Sequence, residues 1–266
     1  MNDKIFQAGS TAEAQSIMEE YLERISQHEV VLGVRASALD LLSVGTGERV
    51  LDAGCGLGEV ARDLARLVGP AGSVVAVDLN PAMLAAARRR HVGVPEAGTI
   101  TYRIGDVASL DHSDTFDVVW CERVLQHVAD PGSAVRALAR TLGPGGRLCV
   151  IDVDWSGLVV DGVDQTVTER VLDAFRGKVS HPTVGRTLRR RLLRAGLVDP
   201  VLRAVQAVST RLDDAASVVP VLDRRESGLV PDADRSLWFR SLDLADARGE
   251  LTIALPIYVA VARRPR

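Results

Sequence analysis

Three glycines at alternate positions, Gly54, Gly56 and Gly58, close the apolar run in VLDAGCGLGEVA (50–61), and an acidic residue, Glu59, follows at once. Glycine accepts backbone angles that a side chain forbids, and it lets another group approach the amides. A strand that ends in such a turn and passes into a helix commits the chain to an α/β layout. The turn lies at the carboxyl end of the strand, where open sheets of this kind bind their ligands. The residues that follow repeat the theme. RVLDA leads to a helix over 58–68, and GPAGS turns into the strand VVAVD (74–78). Asn80 and Pro81 cap and open an alanine-rich helix. ITYRIGD (100–106) and FDVVWCE (116–122) read as the third and fourth strands. Asp130 and Pro131 start a helix that stops at GPGG (143–146), before a fifth strand, RLCVIDV (147–153). The alternation predicts a doubly wound, mostly parallel sheet with helices on both faces.

The flanks read differently. Residues 11–43 are expected to be helical and broken once. After Val153 come a loop, WSGLVVDGVD, a helix over 166–175, a basic helix over 183–197, a strand over 201–209, a helical segment over 213–248 and a last strand, LTIALPIYVAVA. The chain of 266 residues is long enough for one large core, and with 47% hydrophobic but only 4% aromatic residues that core is built from Val, Leu and Ala. A net charge of −3 offers no broad basic surface for nucleic acid. Cys55, Cys121 and Cys149 lie far apart and form no CxxC pair, which fits a reduced compartment without a structural metal. MNDKIFQAGS has no leader pattern, and the last apolar run is too short to span a bilayer. The expectation is a soluble, cytoplasmic monomer or homodimer that acts on a small molecule.

Glycine-rich first turns serve several ligands. The dinucleotide fingerprint G-x-G-x-x-G counted from Gly54 wants its third glycine at position 59, which holds Glu59. An acidic side chain there would meet a pyrophosphate as a like charge. The G-K-[ST] of a triphosphate loop is absent. The G-x-G-x-G actually present better suits an amino-acid moiety. Asp78 ends the next strand, where a carboxylate can accept hydrogen bonds from both ribose hydroxyls.

On these residues the sequence resembles the class I, seven-stranded, Rossmann-like S-adenosylmethionine-dependent methyltransferases, in particular the small-molecule enzymes of ubiquinone and menaquinone biosynthesis. VLDAGCGLG is similar to their first motif, VVAVDLNPAML to the second, GD at Gly105–Asp106 to the adenine motif, and FDVVWCERVLQHVADP and LGPGGRLCVID to the last two. The resemblance implies S-adenosyl-L-methionine as cofactor, with S-adenosyl-L-homocysteine as product. It also implies that Gly54, Gly56 and Gly58 pack against the methionine part and that Asp78 meets the ribose, with Asp52, Cys55 and Met83 as further cofactor contacts. Glu59 either bonds near the cofactor amine or only favours the helix N-terminus by its charge, and Leu79 either covers an adenine face or belongs to the core. Gly105, Asp106 and Val107 are expected at the adenine edge, and Cys121 and Arg123 at the end of the fourth strand. Leu57 stands where a Thr or Ser is more usual. The expected division is an N-terminal helical cap (1–45), a cofactor-binding core (46–153), a helical lid (154–200) and a segment completing the sheet (201–266).

The acceptor side rests on fewer signals. His127, just past the fourth strand, is a candidate base or substrate contact, against a purely structural role. His181, in the lid, and Asp154, on the same side of its strand as Asp152, are further catalytic candidates. Asp152 and Asp154 lack a third oxygen ligand, so no metal is expected. Tyr21, His28, Trp155 and Trp238 are candidate substrate contacts. Arg123 either meets a substrate anion or pairs with a local acid. His91 and His112 read as solvated, and the arginines of 183–197 as a solvated helix face. Since methyl transfer needs alignment more than a base, a methyltransferase-like cyclase or decarboxylase using the cofactor structurally, and a non-catalytic cofactor-binding protein, are the alternatives.

Overall fold

The computed structural model describes residues 12–110 and 115–266, so His112 lies outside the described residues. Two helices, α1 (Ala12–Ser26) and α2 (Glu29–Leu42), precede the sheet, broken once as the sequence predicts. The alternating core follows as β1 (Arg49–Ala53), α3 (Glu59–Val68), β2 (Ser73–Asp78), α4 (Pro81–Arg90), β3 (Ile100–Ile104), β4 (Phe116–Glu122), α5 (Pro131–Thr141) and β5 (Leu142–Val153). Local chemistry sets these boundaries. The Asn80 side chain accepts from the Ala82 amide with Pro81 at the first position of α4, and Asp130 does the same for the Gly132 amide at α5. In α3 the buried residues Val60, Ala61, Leu64, Ala65 and Val68 fall on one stripe.

The remaining elements are β6 (Val159–Asp161), α6 (Gln165–Arg176), α7 (Val184–Arg194), β7 (Val198–Ser209), α8 (Leu212–Val218), α9 (Asp232–Arg248) and β8 (Thr252–Arg263). Strands β3-β2-β1-β4-β5 are parallel neighbours, and β8 runs antiparallel to β5. Ile253 and Ala254 of β8 pair with both β6 and β7, so those two strands lie on opposite edges of β8. The sheet is doubly wound and mostly parallel, as expected, with an eighth strand: β6 is a three-residue piece inside the segment read as a loop. The strand read from 147 begins at Leu142, which pairs with Phe116 before a register shift. The helical segment read over 213–248 is two helices with 3-10 turns between them.

Alternation along the strands divides the core. Val50, Val74, Val118, Cys149 and Val259 face one layer, shared with residues of α1, α2, α3, α4, α6, α8 and α9. Leu51, Val75, Val119, Val150 and Ala260 face the other, filled by α5 and α7. The carboxyl ends of β1 to β4 remain open beneath α1 and α2.

Candidate functional site

That opening is a cavity of about 610 Å³. The glycine turn forms its floor. Gly54 has φ +84°, and a Cβ there would lie 2.2 Å from Val124 Cγ2. Gly56 has φ +52° and faces only Leu22 Cδ1 at 3.6 Å, so its backbone is open to the cavity. The expectation for Gly58 is corrected. It does not line the cavity; a Cβ there would meet His91 Cε1 and the Tyr102 hydroxyl at 2.9 Å. Gly58 is a packing glycine at the start of α3. His91 beneath it is buried and hydrogen-bonded to Tyr102, not solvated.

Asp78 serves the turn as well as the cavity. Its Oδ2 accepts from the Gly56 amide at 2.9 Å and its Oδ1 from the Asn80 amide at 2.8 Å. Burial pushes its pKa up, opposed by those backbone donors. Further along the wall stand Leu79, Met83, Gly105, Asp106 and Val107. Asp106 accepts from the Ala108 amide at 2.9 Å, and Leu79 is 47% exposed, an apolar side chain at the rim.

Asp52, Cys55 and Glu59 line the opposite stretch. Asp52 is 2% exposed and its Oδ2 has no hydrogen-bond partner. Burial and the neighbouring Glu122 charge raise its pKa to about 8, against the favourable charge of Arg35. Burial also raises Glu59 and Cys55. Three residues here, Arg35, Trp120 and Glu122, escaped the sequence reading. Arg35 of α2 donates from Nε to both oxygens of Glu122, at 2.9 and 3.1 Å, and the Trp120 indole donates to Glu122 at 3.3 Å. A lone cation inside the apolar helix EVVLGVRASALDLL was the available signal for Arg35. Alternation was the signal for Trp120 and Glu122, and it turns the Cys121 side chain into the opposite layer, where it is fully buried. Burial pushes its thiol pKa up, so only its backbone is left for the expected cofactor contact.

The loop after β4 supplies Arg123, Val124, His127 and Val128 to the cavity. Arg123 has φ +57°, a strained conformation for a long side chain. Several expected ligand contacts hold this loop from outside the cavity. The Trp155 indole donates to Gln126 Oε1 at 2.7 Å, and its ring packs edge-on to Phe175. His181 Nε2 bonds the Val128 carbonyl at 2.8 Å. Tyr21 is 5% exposed, and its hydroxyl accepts from Arg123 at 2.8 Å. Three other candidates are corrected by place and partner. Asp154, fully buried, pairs with Arg186 and caps the turn at Ser156. His28 caps α2 and bonds Asp214 at 3.0 Å. Trp238 is fully buried on α9. Asp152 is buried too, with its pKa raised to about 7 by burial.

A glycine turn after the first strand, acids after the second and third, and one cavity across their carboxyl ends define a class I, Rossmann-like methyltransferase fold. A family model described as "Methyltransferase domain" matches residues 51–150. An uncharacterized 37.1 kDa protein in transposon TN4556 of Streptomyces fradiae is 32% identical over 252 residues, 91% of this chain and 70% of that one. The chain belongs to one family with that protein. The ubiquinone/menaquinone biosynthesis C-methyltransferase UbiE of Pseudomonas savastanoi pv. phaseolicola is 38% identical over 116 residues, 43% of this chain. That match spans 45% of the enzyme's own length, so the chain covers less than half of that relative. Among solved structures, phosphoethanolamine N-methyltransferase 2 of Haemonchus contortus in complex with S-adenosyl-L-methionine superposes with a TM-score of 0.62 at 19% identity, covering 100% of this chain and 60% of that one. No described helix is long and apolar enough to cross a membrane.

Proposed function

We propose that this protein is an S-adenosylmethionine-dependent methyltransferase acting on a small molecule. The observation that carries the reading is the row of groups across the strand ends. Asp106 follows β3, Asp78 ends β2 and Asp52 with the glycine turn ends β1, all on one cavity in the sheet order β3-β2-β1. Adenine, ribose and methionine follow one another in the cofactor as these groups do in the fold. The residues fit the group. The unpartnered Asp52 oxygen is a buried acceptor aimed at the place of an ammonium, the open Gly56 backbone is a surface for the methionine chain, and Asp78 keeps lone pairs for two hydroxyls.

When bound, the cofactor supplies a methyl group on a positively charged sulfur, open to in-line displacement. The chain's own part is alignment and exclusion of water. Asp52 and Glu59 would hold the ammonium, Arg35 would face the carboxylate, and Leu79 and Val107 would cover the adenine. Helix α1 closes the cavity with Met18, Leu22 and Ile25. His127, the imidazole that lines the cavity, accepts a proton from a hydroxyl acceptor where one must be lost.

Calorimetric titration with S-adenosylhomocysteine tests the cofactor half; no binding at millimolar concentration removes the proposal. Incubation with S-adenosylmethionine and candidate acceptors, followed by mass spectrometry, tests the chemistry. Conversion of an acceptor without S-adenosylhomocysteine release would assign the cyclase or decarboxylase reading instead.

A further inference from the structure

Among the described residues, the cavity contains one arginine that no lining carboxylate pairs with. In the sheet order β3-β2-β1-β4, Asp106, Asp78 and Asp52 take the first three places and Arg123 the fourth, past the end of the row assigned to the cofactor. The Arg123 amide donates to the Ile151 carbonyl at 2.7 Å, which fixes the residue in its left-handed conformation. Its guanidinium donates to the Tyr21 hydroxyl at 2.8 Å and lies 5.6 Å from the centre of that ring. Tyr21 thus orients the guanidinium without cancelling its charge. Among the described residues no carboxylate pairs with Arg123. Glu122 is held by Arg35, and Asp152, which feels the Arg123 charge, is buried on β5 and accepts from the Val153 amide. Along α1 the same cavity is walled by the apolar side chains of Met18, Leu22 and Ile25. A guanidinium partly stripped of water and aimed by a phenol presents a planar donor fork that matches a carboxylate or a phosphate.

We propose that Arg123, oriented by Tyr21, anchors an anionic group of the methyl acceptor, a carboxylate or a phosphate monoester; this rests on the methyl-transfer reading above. The anion is the handle and not the nucleophile. It fixes one end of the acceptor at the β4 edge of the cavity while the apolar face of α1 covers the remainder. A purely cationic amine would meet Arg123 as a like charge and is rejected.

The test is calorimetric titration of the protein saturated with S-adenosylhomocysteine, using benzoate, phenyl phosphate, benzamide and benzylamine as probes. Benzoate or phenyl phosphate is expected to bind at least about tenfold more tightly than the neutral and cationic probes, and whichever anion binds better names the acceptor's group. Arg123→Met is expected to remove that preference, and Tyr21→Phe to weaken anion binding while leaving it selective. Arg123→Asn is the control for folding, since asparagine tolerates the left-handed backbone; it should fold and still lose the preference. Equal binding of all four probes, no anion binding at millimolar concentration, or an unchanged preference in both Arg123 variants overturns the proposal. So does loss of S-adenosylhomocysteine affinity in Arg123→Asn, which would give the arginine to the cofactor. Titration of the wild type with S-adenosylhomocysteine alone decides the cofactor reading separately, and anion titration without it still interrogates Arg123.

Discussion

At the scale of single residues, the glycine turn shows how a repeated motif divides its labour. Gly54 yields to Val124, Gly56 to the open cavity and Gly58 to the packing of α4 and β3. Gly54→Ala combines a positive φ with an overlap against Val124, and overpacking of this kind costs about 1–3 kcal/mol before backbone strain is added. Urea denaturation should show that loss, and Val124→Ala in the same chain should recover only the packing part. At Asp78, replacement by Ala removes a charged acceptor from the Gly56 amide and from the place proposed for the ribose. Charged hydrogen bonds contribute about 1.5–3 kcal/mol each, so S-adenosylhomocysteine affinity should fall by at least about tenfold in calorimetry. Asp52 adds a pH dependence. Its folded pKa, about 8, lies above the ordinary value of about 3.9, so the ligand-free folded state binds the proton more tightly than the unfolded chain. Its contribution to stability is full below about pH 4 and is lost as pH rises through about 8. Asp52→Asn should flatten that part of a denaturation series, leaving the contributions of Asp152, Asp78 and Glu59, whose values burial also raises. Binding of a cation beside Asp52 should release a proton near neutrality, visible as a dependence of binding enthalpy on buffer.

At the scale of elements, the clamp between α2 and β4 is the sharpest case. Arg35 and Glu122 are 15% and 9% exposed in their side chains. Removing one partner of a buried pair leaves an uncompensated charge, at a cost of about 3–5 kcal/mol. Arg35→Met should therefore destabilise the fold strongly in urea denaturation, and adding Glu122→Gln should restore part of the loss. This pair also marks where sequence reading stops. The caps at Asn80 and Asp130, the alternating core and the acids after β2 and β3 were legible because each is written within a few residues of chain. The Arg35–Glu122, Asp154–Arg186 and His28–Asp214 contacts join residues far apart in sequence, and no local pattern points to them. Trp155, Trp238 and Tyr21 are candidate ligand contacts by sequence, yet their large apolar areas are buried inside. β6 was hidden for another reason. Three residues carry no periodicity, and only pairing with β8 makes them a strand.

At the scale of the whole molecule, the expected division into cap, core and lid describes the chain's order better than its packing. Met18 and Ile25 of α1, Val34 and Ala38 of α2, Phe175 of α6, and Trp238 and Leu242 of α9 share one apolar layer with Val118, Ile151 and Val259 of the sheet. A cap or lid with its own core would melt by itself; elements that share a layer lose their burial together. Calorimetry should therefore show one transition, with calorimetric and van't Hoff enthalpies equal and a total of about 190 kcal/mol near 60 °C from the usual per-residue value. Two resolved transitions would mean that the lid folds separately. Ligand extends the same argument. S-adenosylhomocysteine at about a hundred times its dissociation constant stabilises the folded state by about 2.7 kcal/mol, and at about 2 °C per kcal/mol for a chain of this size the midpoint should rise by about 5 °C. Because α1 closes the cavity and also contributes to the shared layer, that rise should move the entire transition rather than split a cap from the core.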